Sequence, residues 1–195
     1  PVIGGKINVP GLLVGASSTD PSILYTVDYR WDDSSGTSGD WFNTINAVQV
    51  VGSTAYLQGT VSLSGYVGRV IVQGTMAWAS GQTNVWTTRA DGSTVYAPKV
   101  QLHQIDLSDP TNLTDQVSAT AHGWGWLMDV QGDRAILQSG WGSDGLDIYK
   151  LTPGAEPVFD QFVRTRGWWT QAIDRQDNTL FLSSGYWGVQ SITLK

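Results

Sequence analysis

The stretch "GWGWLMDVQGDRAILQSGWGSDGLDIYKL" runs from Gly123 to Leu151, and a related stretch, "GWWTQAIDRQDNTLFLSSGYWGVQSITL", runs from Gly167 to Leu194. Corresponding positions of the two stretches lie about 42–45 residues apart, and the spacing varies only where loops are expected. Repetition at this period is typical of folds in which each repeat is one supersecondary unit. The sequence therefore predicts a repeat architecture.

The repeating unit reads as four short strands. The segments "WLMDVQG" and "RAILQSG" alternate apolar and polar residues and are joined by Gly132-Asp133, which predicts a hairpin with a two-residue turn. A glycine-rich loop then leads to a third strand, "LDIYKL", and "VFDQFVR" supplies a fourth. Four short strands in about 40–45 residues is the length of one β-propeller blade.

The pattern continues towards the N-terminus. The segments "VVGSTAYLQG" (50–59) and "IVQGTMAWAS" (71–80) are predicted as further copies of the hairpin. "QLHQIDLSDPTNL" (101–113) matches the third strand of the unit, and "ILYTVDYRW" (23–31) is predicted as another strand of that kind. The turns at Gly52 and Gly74 are only about half a blade apart, so one unit is truncated or rearranged and its strands are not assigned.

The segments "GSTAYL", "GDRAIL", "IDLSDPTNL" and "GYWGVQSITL" resemble the blades of a family of bacterial secreted or surface proteins that carry a C-terminal β-propeller domain distantly related to WD40 repeats. The resemblance covers residues 44–195, although no Trp-Asp dipeptide ends a blade. It implies a toroid of four-stranded antiparallel blades.

The chain is accordingly expected to be one all-β, propeller-like domain over residues 1–195, with residues 1–43 in an incomplete first blade. A length of 195 residues allows about four blades. These form part of a larger ring, a small ring, or a ring that a second chain completes by self-association. A β-sandwich is the alternative fold, and the repeat argues against it.

Composition excludes several classes of protein. A formal net charge of -6 lacks the basic surface of a nucleic-acid-binding protein, and no run of 18 apolar residues predicts a membrane span. Cysteine is absent, so neither a disulfide framework nor a thiolate metal site is available. The low lysine content indicates an extracellular, periplasmic or cell-surface location, and the start at Pro1 suggests a processed piece of a longer precursor.

The candidates for catalysis are few. The two histidines, His103 and His122, are not accompanied by a G-x-S-x-G elbow and are interpreted as ordinary polar residues, so no catalytic residue is assigned. Asp129 and Asp174 occupy equivalent places in the two repeats and are expected to line the central channel. They are interpreted as structural carboxylates that bond neighbouring backbone, and acid–base catalysis is the alternative.

The segment "DDSSGTSGD" (32–40) is the candidate metal site. Asp32, Asp33 and Asp40 supply hard oxygen donors in one loop, which is the chemistry that Ca²⁺ prefers. A second candidate with fewer carboxylates is "GSDGLD", with Asp144 and Asp147. An ordinary solvated loop is the alternative in both places, and no other cofactor is predicted.

Aromatic residues are the most unusual feature, with ten tryptophans in the chain. Those of the C-terminal repeats flank glycines at blade starts and in loops, where flat rings could stack on a sugar or anchor a protein partner. The alternative is that they pack between blades. The candidate ligand-binding residues are Trp124, Trp126, Trp141, Trp168, Trp169, Tyr186 and Trp187.

These observations lead to one functional prediction with two alternatives. The prediction is a non-catalytic binding or scaffolding module of a bacterial extracytoplasmic protein, with a protein or a glycan as partner. The first alternative is a lectin-like domain that binds carbohydrate through the repeated tryptophan faces. The second is a hydrolase or lyase that uses the channel aspartates.

Overall fold

The computed structural model of the chain describes residues 9–32, 40–83, 86–96, 99–121, 125–139, 145–165, 172–184, 186 and 188–194. This part of the chain forms antiparallel β-sheets, which confirms the predicted all-β, propeller-like fold of four-stranded units. We number the four larger sheets 1 to 4 in chain order.

Sheet 1 pairs its four strands in chain order and is followed by sheet 2, which has the order β10-β9-β6-β5. A two-stranded ribbon, β7-β8, is inserted between β6 and β9. The ten strands are β1 (Leu12–Ala16), β2 (Ile23–Asp32), β3 (Asp40–Val51), β4 (Thr54–Leu63), β5 (Tyr66–Gln73), β6 (Met76–Thr83), β7 (Trp86–Thr88), β8 (Thr94–Tyr96), β9 (Lys99–Asp106) and β10 (Thr114–Thr120).

Sheet 3 is the four-stranded unit that the sequence predicts, again with its strands paired in chain order, and sheet 4 has the order β15-β16-β17 among the described residues. The seven strands are β11 (Gly125–Gln131), β12 (Arg134–Ser139), β13 (Gly145–Thr152), β14 (Ala155–Arg164), β15 (Ala172–Gln176), β16 (Thr179–Ser183) and β17 (Val189–Thr193).

The short spacing between Gly52 and Gly74 has a topological explanation. The turn at Gly52 joins the last two strands of sheet 1, whereas the turn at Gly74 joins the first two strands of sheet 2. The first turn is therefore not a copy of the hairpin that opens sheet 3. Likewise β2 pairs with β1 and β3 as the second strand of its sheet, not as a third strand.

The chain divides into two compact units. Unit 1 comprises Pro1–Gly81 and His103–Val117, and unit 2 comprises Gln82–Leu102 and Ser118–Lys195. The core of unit 1 gathers apolar side chains of sheets 1 and 2, including Tyr25 and Ile45. In unit 2, alternate residues of β13 and β16 meet in a core that contains Leu146, Ile148, Leu180 and Leu182, as period-two burial requires.

Helices long and apolar enough to cross a lipid bilayer are absent from the described residues.

Turn chemistry explains the many aspartates. Asp109 accepts hydrogen bonds from both the hydroxyl and the backbone N–H of Thr111, and Asp91 does the same with Ser93. The side-chain hydrogen bond, followed by the backbone one, lowers the pKa of each carboxyl group. These carboxylates fix turns, as the composition suggested.

Four hairpins share one turn geometry. Their two-residue turns open with a residue at positive φ: Gly52 (60°), Gly74 (63°), Gly132 (61°) and Asp177 (53°). An L-residue at such a φ brings its Cβ close to backbone, and glycine avoids this cost. Asp177 therefore bears a conformational cost that its three counterparts do not.

Replacing Asp177 with glycine should stabilise the fold. We expect Asp177→Gly to raise the free energy of unfolding by about 0.5–1 kcal/mol, because relief of the left-handed conformation exceeds the entropy that glycine adds to the unfolded chain. Urea denaturation followed by tryptophan fluorescence measures the change. Asp177→Ala is the matched comparison, and equal or greater stability of that variant would contradict the expectation.

Candidate functional site

A pocket of about 280 Å³ lies in unit 2, where the hairpin turns of sheets 3 and 4 come together. Its lining residues are Gln131, Gly132, Asp133, Arg175 and Asp177. The first three belong to the β11–β12 turn region, and the other two belong to the end of β15 and the β15–β16 turn. We call this the Arg175 pocket.

The guanidinium of Arg175 is fixed by backbone carbonyls on both sides of the pocket. Nη1 donates to the carbonyl oxygen of Gln131 at 2.8 Å, and Nε donates to the carbonyl oxygen of Asp177 at 2.5 Å. Nη1 also lies 3.5 Å from Oδ1 of Asp133. The side chain is only 19% exposed, so these contacts hold the planar group in one orientation.

A chain of alternating charges supports the pocket from sheet 3. Oδ2 of Asp133 accepts from Nη1 of Arg134 at 3.0 Å, and Nε of Arg134 lies 3.7 Å from Oδ2 of Asp160. The backbone of the same turn is held as well, because the N–H of Leu151 donates to the carbonyl oxygen of Asp133 at 2.8 Å. Asp133 is thus positioned by neighbouring groups before any ligand arrives.

The pocket offers both signs of charge. No described residue accepts a hydrogen bond from Nη2 of Arg175, and none donates one to the carboxylate of Asp177. A guanidinium presents paired N–H donors that match a carboxylate, and carboxylates accept from ammonium or hydroxyl groups. The arrangement is suited to holding a small polar molecule by complementary charges.

Asp129 and Asp174 take equivalent places on β11 and β15. In each residue Oδ1 accepts from the backbone N–H of the next residue at 2.9 Å. Oδ2 of Asp129 also accepts from Nε2 of Gln131 at 2.8 Å, which steadies the residue that lines the Arg175 pocket. Both carboxylates thus bond neighbouring backbone, as the structural interpretation of these residues expects.

His103 and Asp115 form a buried pair in unit 1. Nδ1 of His103 lies 2.7 Å from Oδ2 of Asp115, and the imidazole donates because an ionised carboxylate only accepts. Nε2 of His103 is buried and has no hydrogen-bond partner among the described residues. A carboxylate that orients an imidazole is also the arrangement of a general base.

The burial of His103 decides whether the pair acts as a general base or only stabilises the fold. The residue is 1% exposed, so a substrate cannot approach its free nitrogen. Gly81 occupies the neighbouring space: a Cβ at this position would lie 2.9 Å from Nε2 of His103 and 2.3 Å from the carbonyl oxygen of Ser64. The pair therefore holds β10 to β9 rather than performing catalysis.

Most of the aromatic candidates, namely Trp124, Trp141, Trp168, Trp169 and Trp187, lie outside the described residues, as does His122. Trp126 on β11 is 37% exposed, and its Nε1 donates to the sulfur of Met128 at 3.1 Å. Tyr186 is exposed. Trp78, by contrast, is buried on β6, as the packing alternative expects. The stacking surface stays a prediction.

The calcium candidates can be placed only in part. Asp32 ends β2 and Asp40 begins β3, and the two are cross-strand partners in the register of sheet 1, while Asp33 and Asp144 lie outside the described residues. Asp147 is buried on β13. Nowhere in the described ranges do three or more potential ligand residues of the His, Cys, Asp or Glu type cluster.

Neither a protein family nor a curated protein matches this sequence. Solved structures that are similar to this chain have low sequence identity to it. One is that of a proposed 6-phosphogluconolactonase from Bacteroides fragilis, with 12% identity, a TM-score of 0.41, and coverage of 97% of this chain and 68% of the other. Another is a protein from Lactobacillus plantarum, with 18% identity, a TM-score of 0.35, and coverage of 98% and 72%.

The name of one neighbour bears on the functional prediction. A non-catalytic binding or scaffolding module was expected, and the Bacteroides fragilis neighbour contradicts that expectation because it is named for an enzyme. At 12% identity and a TM-score of 0.41, the similarity does not carry that activity to this chain. Any function has to be argued from the residues of the chain itself.

Proposed function

We propose that the Arg175 pocket binds a small organic molecule through a single carboxylate group. The observation that carries the proposal is the guanidinium of Arg175, which two backbone carbonyls and Asp133 hold in place while Nη2 keeps its donors uncommitted among the described residues. A donor that is already oriented loses little entropy when a ligand arrives.

The charges around the pocket favour a carboxylate over a phosphate. Asp133 lies 3.5 Å from Nη1 of Arg175, and Asp177 lines the same pocket. A doubly charged phosphate would meet about twice the repulsion from these two carboxylates that a singly charged group meets, and one guanidinium offsets only part of it. A carboxylate also matches the planar fork of arginine.

The size of the pocket limits the ligand. A volume of about 280 Å³ lies just below the range of about 300–1,000 Å³ that holds drug-sized ligands. The lining comes from two tight turns and exposes polar and apolar atoms in similar measure, so its apolar surface is too small for a larger body. We therefore propose a ligand of a few heavy atoms, such as a short-chain acid.

The test is an NMR titration of the ¹⁵N-labelled chain with propionate. Propionate should shift the side-chain resonances of Arg175 and the backbone resonances of Gly132 and Asp177 along one saturable curve. Arg175→Lys keeps the positive charge but loses the fork, and it should weaken binding at least about 10-fold.

Arg164→Gln is the matched control, because Arg164 is an exposed arginine of the same unit that does not line the pocket. It should bind propionate like the parent chain. Equal affinity of Arg175→Lys and the parent chain would overturn the proposal. Equal weakening by Arg164→Gln would do so as well, since both results indicate diffuse attraction to positive charge.

We also propose, on the sequence motifs alone, that the chain belongs with the bacterial secreted or surface proteins whose propeller domain is distantly related to WD40 repeats. The motifs "GDRAIL" and "IDLSDPTNL" support this assignment. From the sequence we further propose an extracytoplasmic location, Ca²⁺ binding near Asp32 and Asp40, and self-association that completes a ring.

A further inference from the structure

We infer that the ligand of the Arg175 pocket carries a positively charged amino group as well as a carboxylate, and that Asp177 recognises the amino group. This inference rests on the proposed function, since it names a second group on the same molecule. It adds a substrate class, the amino acids and related zwitterions.

The backbone at Asp177 is the first observation. Three hairpins with the same turn geometry place glycine at the opening position, among them the β11–β12 hairpin on the other side of the pocket, and only the β15–β16 hairpin places an aspartate there, at a φ of 53°. A residue that costs stability at a position where its counterparts avoid the cost points to a function for its side chain. The side chain in question is a carboxylate.

The charge of the pocket is the second observation. Oδ1 of Asp133 lies 3.5 Å from Nη1 of Arg175, and Oδ2 of Asp133 lies 3.0 Å from Nη1 of Arg134. The negative charge of Asp133 is therefore already offset in part by these two guanidinium groups. The carboxylate of Asp177 receives no hydrogen bond or ion pair from a described residue. An anionic ligand alone would leave this negative charge unmatched, and an ammonium group on the ligand would match it.

The position of the two groups also fits one ligand. Nε of Arg175 donates to the carbonyl oxygen of Asp177 at 2.5 Å, so a hydrogen bond holds the guanidinium beside Asp177. A ligand that binds the guanidinium therefore lies next to Asp177. Opposite charges at the two ends of one small molecule can engage both residues at once.

The experiment compares acids with and without the amino group. Glycine, β-alanine and 4-aminobutyrate are titrated by NMR against acetate, propionate and butyrate, with the parent chain and with Asp177→Asn. Asparagine accepts the left-handed conformation as aspartate does, so the turn is kept while the charge is lost. At least one amino acid should bind at least about 10-fold more tightly than its matched acid, and Asp177→Asn should remove that gain.

The outcomes separate the two proposals. If the acids bind but no amino acid binds more tightly than its matched acid, the inference is overturned and the carboxylate site stands. If an amino acid still binds Asp177→Asn more tightly than its matched acid does, the role given to Asp177 is overturned as well. If none of the six compounds binds, the proposed function fails and the inference fails with it.

Discussion

Gly81→Ala should cost the chain about 3 kcal/mol of unfolding free energy, close to the upper end for overpacking one buried position. The added methyl group would lie 2.3 Å from the carbonyl oxygen of Ser64 and 2.9 Å from Nε2 of His103. The first contact is with backbone, which cannot rotate away. The second is with a side chain that is fixed by Asp115 and fully buried, so β6 or its neighbours must shift.

Urea denaturation followed by tryptophan fluorescence measures this loss, and Gly68→Ala is the matched control. Gly68 lies on β5 of the same sheet, and a Cβ there meets no atom within 4 Å. This variant should be neutral or more stable by up to about 1 kcal/mol, because alanine restricts the unfolded chain. If the two variants change the unfolding free energy equally, crowding at Gly81 does not cause the loss of stability in Gly81→Ala.

The contrast between these glycines is invisible in the sequence, whereas the strands around them were predictable. Sheet 3 was predicted strand by strand because its signals are local: alternation of apolar residues and a turn at Gly132. The same turn signal at Gly52 was misplaced. A two-residue turn looks the same whether it joins the first two or the last two strands of a sheet.

The Arg175 pocket was missed for a related reason. It depends on two turns about 45 residues apart in the chain meeting in space, and no local pattern encodes that meeting. A signal was nevertheless present in the aligned repeats, where Val130 corresponds to Arg175 and Gly132 to Asp177. Two charged residues replace an apolar residue and a glycine at the same hairpin. Departures of this kind from a repeat mark where a site can lie.

The pair of His103 and Asp115 was missed because its two residues belong to neighbouring strands whose pairing the sequence did not define. The sequence predicts His103 as an ordinary polar residue in mid-strand, whereas the structure buries it almost completely. A buried histidine needs a polar partner, and Asp115 is the acidic residue that the next strand supplies.

Removing Asp115 should cost more unfolding free energy than removing His103. Asp115→Ala leaves the buried Nδ1–H of His103 without its acceptor, and we expect a loss of about 2–3 kcal/mol, the cost of a buried unsatisfied donor. His103→Leu leaves only Asp115, whose side chain is 25% exposed and can bind water, so this variant should lose less than about 1 kcal/mol.

The double variant completes the cycle and tests the cause. With leucine at position 103, Asp115→Ala should cost less than about 0.5 kcal/mol, because no buried donor remains to be deprived of its partner. The coupling energy is then about 2 kcal/mol, measured by urea denaturation of all four proteins at one pH. Additive losses would show that Asp115 stabilises β10 without help from His103, and the buried imidazole would then need a different explanation.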